Sequence, residues 1–225
     1  MSAHLALRSG NPALGSDTFT QFSPMPITGD EAMTVGGAVN KTALSLVILF
    51  AAAMFVWDRG TQGELPMTWV YGGFIGGFLV AMATTFKQVW APYTTPLYAA
   101  LEGLALGGIS YVFEQAYPGI VAQAVFLTFG TLGALLFAYR SGIIRATENF
   151  KLGIFAATGG IGLVYLLSFI LGFFGISVPL IHSNGAFGIL FSVFVVIIAA
   201  LNLVLDFDFI EEGAERGAPK HMEWY

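Results

Sequence analysis

Cysteine is absent from the 225 residues, so neither a disulfide framework nor a thiolate metal site is available to this chain. Charge is scarce as well: 10% of residues are charged, against 56% that are hydrophobic. A water-soluble domain of this length could not bury so much apolar surface, and with a mean hydropathy of +0.76 the chain reads as a polytopic membrane protein. The nine basic residues are scattered singly between apolar runs and the net charge is −5, so no basic patch exists for a nucleic acid to grip. Histidine is nearly missing. His4, His182 and His221 lie far apart with no carboxylate at ligand spacing beside them, which argues against a bound transition metal. No Walker phosphate loop, G-x-S-x-G elbow, H-E-x-x-H or intramembrane G-x-G-D occurs, so an enzyme is not expected.

What is present is a series of long apolar runs. Residues 1–39 are rich in Ser, Thr, Gly and Pro and hold no apolar core followed by a small-residue cleavage site, so they read as a mobile tail and not as a signal peptide. Six segments follow, each close to the roughly 20 residues that cross a bilayer core. They are approximately Asn40 to Trp57, Pro66 to Phe86, Thr95 to Phe113, Gly119 to Tyr139, Leu152 to Phe174 and Gly185 to Phe209. Continuous apolar runs of this length favour helices over alternating barrel strands, so the expected fold is an all-α membrane bundle. With the N-terminus in the cytoplasm, Arg8, Lys41, Lys87, Arg140, Arg145, Lys151, Arg216 and Lys220 fall on the cytoplasmic side and Arg59 alone on the other. That is the positive-inside pattern. The small-xxx-small spacings at Gly72, Gly73, Gly76 and Gly77, at Gly103 and Gly107, and the cluster Gly159, Gly160 and Gly162 predict close helix packing.

Few polar groups interrupt these spans. Glu102 lies about seven residues into the third, roughly 10 Å deep at 1.5 Å per residue. An ionisable group there is either functional or a hydrogen-bonded carboxyl that fixes packing. The sixth span ends in AALNLVLDFDFIEEG, and if it runs towards the cytoplasm it brings Asp206 and Asp208 to the leaflet that holds Glu102. Asn202, one turn before Asp206, shares its face. Asp208 is about 200° around the helix from Asp206, so the expectation is Asp206 inward and Asp208 at the headgroup edge as a solvated end charge. Carboxyls converging in low dielectric titrate as a coupled unit, which makes protons a switch. Lys87 and Arg140 are the candidate counter-charges, or else anchors that snorkel to the headgroups.

Three stretches carry a resemblance: MTVGGAVNKTALSLVILFAA, KQVWAPYTTPLYAALEGLALGGISYVFE and ALNLVLDFDFIEEG. Together they resemble the bacterial YccA/Bax inhibitor family of membrane proteins, over about residues 33 to 225. The resemblance implies a seven-helix fold with a cytoplasmic N-terminus in a prokaryotic plasma membrane. It also implies a pH-sensitive calcium leak controlled by a pair of aspartates, the first of which corresponds to Asp206 with Gly213 closing its motif. The second belongs to a seventh helix, and the expectation is a chain that stops at HMEWY before it, with six of seven helices. The relatives' arginine partner has no clean counterpart; Lys87 is the nearest offer. No resident cofactor is expected beyond transient calcium. The alternative is a partner protein that modulates a membrane-bound protease or a quality-control complex, engaging it through the N-terminal tail and the glycine-lined helix faces.

Overall fold

A computed structural model of the chain describes residues 31–64, 66–175 and 185–225. Among these residues the regular structure is helical, apart from a single isolated bridge between Ala32 and Pro219. Among the described residues six helices are long and apolar enough to cross a membrane. They are α1 (Val35–Thr61), α2 (Met67–Phe86), α3 (Ala91–Ala116), α4 (Ile120–Arg140), α5 (Glu148–Phe173) and α6 (Ala186–Glu215). Short 3-10 turns precede α3 at Gln88–Trp90 and follow α6 at Lys220–Glu223. The all-α expectation holds, and the exposed apolar side chains along these helices contact lipid.

The helices overrun the apolar runs in ways that trace to particular groups. α1 starts at Val35, inside the stretch expected to be tail, because Thr34 caps it: the Thr34 hydroxyl accepts from the Gly37 N–H at 2.9 Å. The rest of the expected tail, residues 1–30, lies outside the described residues. α3 begins at Ala91, with Pro92 in its first turn, where a missing N–H costs nothing, and carries Pro96 within it. α5 begins four residues early behind the Thr147 cap, whose hydroxyl accepts from the Phe150 N–H. α6 continues six residues past Phe209 through three glutamates, leaving the apolar segment as an ordinary polar helix.

Two compact units arise, one from residues 129–209 and one from 31–128 with 210–225. In the second, α3 packs against both α1 and α2. The approach is backbone to backbone. A methyl group at Gly103 would overlap the Leu49 carbonyl oxygen, and one at Gly107 the Ala53 carbonyl oxygen. These are the contacts the glycine spacing predicts. Trp57 sets its ring edge-on to Tyr111 of α3, with centroids 5.8 Å apart. The α3–α4 turn is closed by Glu114, whose carboxylate accepts from the N–H groups of Gly119 at 2.6 Å and Val121 at 3.1 Å and so satisfies the start of α4.

The segment after α6 folds back onto the ends of three helices of this same unit. Gly217, at φ +66°, makes the turn that an L side chain resists. Beyond it the Met33 N–H donates to the Ala218 carbonyl at 2.6 Å and the Lys220 N–H to the Glu31 carbonyl at 2.8 Å. Glu223, with a side chain 1% exposed, accepts from the Thr34 N–H at 3.0 Å and the Thr34 hydroxyl at 2.9 Å, and pairs with Lys220 at 3.2 Å. Thr95 of α3 donates to the Trp224 carbonyl at 2.9 Å, while the Lys41 ammonium sits 5.1 Å from the centre of the Trp224 ring.

In the other unit α5 and α6 meet along a stripe in which Ile154, Ile198 and Leu205 are buried, flanked by Phe150, Ala157, Ile161 and Leu201. The glycines of α5 do not share this stripe. Gly159, Gly160 and Gly162 meet nothing within 4 Å, so the close packing expected of them is not seen among the described residues. The reason is helical phase: the stripe runs through residues 151, 154, 158 and 161, and leaves Gly159, Gly160 and Gly162 exposed.

Candidate functional site

The residues singled out in the sequence fall into both units, and each group is described where it stands. Glu102 lies on α3 about 11 residues from Ala91, roughly 16 Å along the helix and deeper than the later start expected for this span had placed it. It is half-buried. Its carboxylate lies beside α2, with Oε2 3.5 Å from where a methyl at Gly77 would sit, and Tyr98 is its neighbour one turn back. Glu102 makes no hydrogen bond or ion pair among the described residues. A methyl at Gly77 would meet this carboxylate in ordinary van der Waals contact.

On α6, Asn202, Asp206 and Asp208 are all half-buried. The Asn202 amide nitrogen donates to the Thr158 hydroxyl of α5 at 2.9 Å and back to the Ile198 carbonyl at 2.8 Å, which leaves its Oδ1 buried without a partner among the described residues. Asp208 departs from its expected place at the headgroup edge. Its Oδ2 lies 2.6 Å from Nζ of Lys151, a lysine of α5 that is 9% exposed, and its Oδ1 accepts from the Tyr139 hydroxyl of α4 at 3.4 Å. Glu148 stands 3.8 Å from the same ammonium. Asp208 is therefore an ion-paired group on a helix–helix contact and not a solvated end charge. The cause is that α6 is buried on more than one side here: the consecutive residues Val204 and Leu205 are 0% and 3% exposed, so two aspartates on opposite faces can both be covered.

The expected counter-charges do not pair with these acids. Lys87 is exposed and places its ammonium 4.5 Å from the centre of the Trp90 ring, and Arg140 is exposed with no ion pair among the described residues. Lys151 takes that role instead. In the sequence it looked like one more loop charge; the signal that could have found it is its position three and seven residues before Ile154 and Thr158, on the stripe of α5 that faces α6.

Outside the spans, three groups of the folded-back segment have displaced proton affinities. Burial alone would raise the Glu223 carboxyl, but the Thr34 N–H, the Thr34 hydroxyl and the Lys220 ammonium outweigh it and hold Glu223 below its ordinary value. Burial pushes His221 down. It pushes the Tyr225 phenol up, against hydrogen bonds from Gln88 and Thr85. Among the described residues no group of three or more His, Asp or Glu could hold a metal ion, and His4 and His182 lie outside them.

A family model described as Bax inhibitor 1 like matches residues 11–225. The chain belongs to the Bax inhibitor 1 like family. No curated protein and no solved structure matches it. As a member of that family it is a multi-pass membrane protein.

Proposed function

We propose that this Bax inhibitor 1 like protein is a pH-sensitive cation leak or transporter, with calcium as cargo, in the inner membrane of a prokaryote and with its N-terminus in the cytoplasm. The observation that carries the reading is Glu102. A carboxyl about 16 Å along a membrane helix, half-buried and with no ion pair or hydrogen bond among the described residues, is costly to keep unless ions or protons use it. Asp206 at the end of α6 is the gate carboxylate of this reading, and Asn202 one turn away supplies an amide oxygen left unpartnered. Ligands of this kind are oxygen only, which suits a hard cation. Catalysis has no part in the proposal.

The test is calcium flux into liposomes reconstituted with the protein, measured against pH. Asp206→Asn and Glu102→Gln should each change the flux or its pH dependence. Unchanged flux in both variants sinks the site, and no flux at any pH sinks the function.

A second reading, a helix-to-helix partner of a membrane protease or quality-control complex, draws on the glycines of α4 and α5 that meet nothing within 4 Å and would let another helix approach. In-membrane crosslinking followed by mass spectrometry tests it. Recovery of no stoichiometric partner, with the purified protein still passing ions, rejects it.

A further inference from the structure

α5 and α6 run antiparallel, and their contacts keep step: Lys151 meets Asp208, Thr158 meets Asn202, and Ile154 and Leu205 lie together in the buried cluster between these polar ties. The apolar cluster holds the helices together by burial, which has no direction of its own, so it selects an azimuth for α6 less sharply than directional contacts do. The amide of Asn202 and the 2.6 Å contact from Lys151 to Asp208 each fix an azimuth, and the second is charged and largely screened from solvent. Asp206 is two residues from Asp208 on the same helix, so any turn that separates Asp208 from Lys151 swings Asp206 by the same angle.

We propose that the Lys151–Asp208 ion pair, braced by the Tyr139 hydroxyl, sets the rotation of α6 and with it the direction in which Asp206 presents its carboxylate. Lys151 is then a positioning residue for the α6 site. The role as a regulator of ion passage rests on the conduction reading above; the mechanical role does not. Around Asp208 the titratable and charged groups are Lys151 and Glu148 of α5, Tyr139 of α4, and Asp206, Glu211 and Glu212 of α6 itself. Replacing Lys151 alone leaves a carboxylate with its charge uncompensated at a helix contact, which α6 relieves by turning towards polar surroundings.

The chain has no cysteine, so an engineered thiol pair has no background. Ile161→Cys with Ile198→Cys places one thiol on each side of the α5–α6 stripe, well away from the ion pair. Oxidative crosslinking of this pair is read in the full-length protein in liposomes. Lys151→Met and Asp208→Asn should each slow crosslinking by about tenfold or more, the scale expected when one member of a covered pair is removed. Lys151→Arg and the charge exchange Lys151→Asp/Asp208→Lys should stay within about threefold of the parent, because each preserves a pair at the same contact.

Crosslinking in the single variants at the parental rate overturns the proposal, as does a charge exchange as slow as the single variants. Should a single variant fail to fold, the charge exchange and Lys151→Arg decide by themselves: folded protein that crosslinks as the parent does supports the pair, and loss of crosslinking in both overturns it. In the same liposomes, the pH midpoint of calcium flux should move by about one unit in the single variants and return in the exchange. Crosslinking that follows the pair in protein with no flux at any pH leaves the positioning role standing and removes the conduction reading. A flux midpoint unmoved while crosslinking changes overturns the link to Asp206.

Discussion

The helices α1, α2 and α3 are held by what their side chains lack, and α5 and α6 by what theirs reach. In the first group glycine brings backbone against backbone, so that Gly103 and Gly107 sit on the carbonyls of Leu49 and Ala53, and the segment after α6 ties the start of α1 with two backbone hydrogen bonds and one buried carboxylate, and α3 through the Thr95 hydroxyl. In the second, an ammonium, a carboxylate, an amide and two hydroxyls span a contact whose neighbouring glycines face nothing among the described residues. Close backbone packing has one good arrangement and resists change. A contact made by charged tips depends on both partners keeping their charge, which sets α5 and α6 apart from the glycine-packed helices.

Removing Lys151 should give the largest effect on that contrast. Lys151→Met leaves Asp208 without its counter-charge and should cost about 3–5 kcal/mol in detergent-solubilised unfolding, while Lys151→Met/Asp208→Leu recovers most of it. A single variant as stable as the parent would show that the second group is held by its apolar stripe alone. Next comes Gly107→Leu, where overpacking against the Ala53 backbone should cost about 3 kcal/mol.

Glu223→Ala follows at about 2 kcal/mol, since the Thr34 N–H loses a charged acceptor in a covered place. The pH dependence has a definite sign. The folded-state affinity of Glu223 for protons is lowered, so its contribution is full above the ordinary carboxylate range and is lost as pH falls through its depressed value. Glu223→Gln should therefore flatten the acid limb of the stability profile and leave neutral pH less stable. The smallest effect sharpens the comparison best: Gly160→Leu, on a face of α5 that meets nothing within 4 Å among the described residues, should not destabilise and should gain up to about 1 kcal/mol of helix propensity, although its spacing in the sequence looks like that of Gly107.

That last pair shows how far the sequence carries. Six spans were legible because a membrane demands length and apolarity from each segment separately. Which glycines pack was not, because a spacing describes one helix and packing belongs to two. The two aspartates of α6 make the same point: their 200° separation was readable, but which of them meets a neighbouring helix depended on Lys151, a residue that a count of basic residues by side treats as a topology marker. Likewise Thr34 is a local cap signal for the start of α1, but the Glu223 carboxylate that completes the cap lies 189 residues away and no local pattern at Val35 announces it. Glu102 was found by composition alone, since one acid in an apolar run needs no partner to be conspicuous.

The Thr34–Glu223 contact also orders events in time. Glu223 is synthesised 189 residues after Thr34, so until it emerges the leading amides of α1 are served by water or by Thr34 alone. A chain cut before residue 218 should leave a protease site near residue 34 open, which the chain through Tyr225 protects.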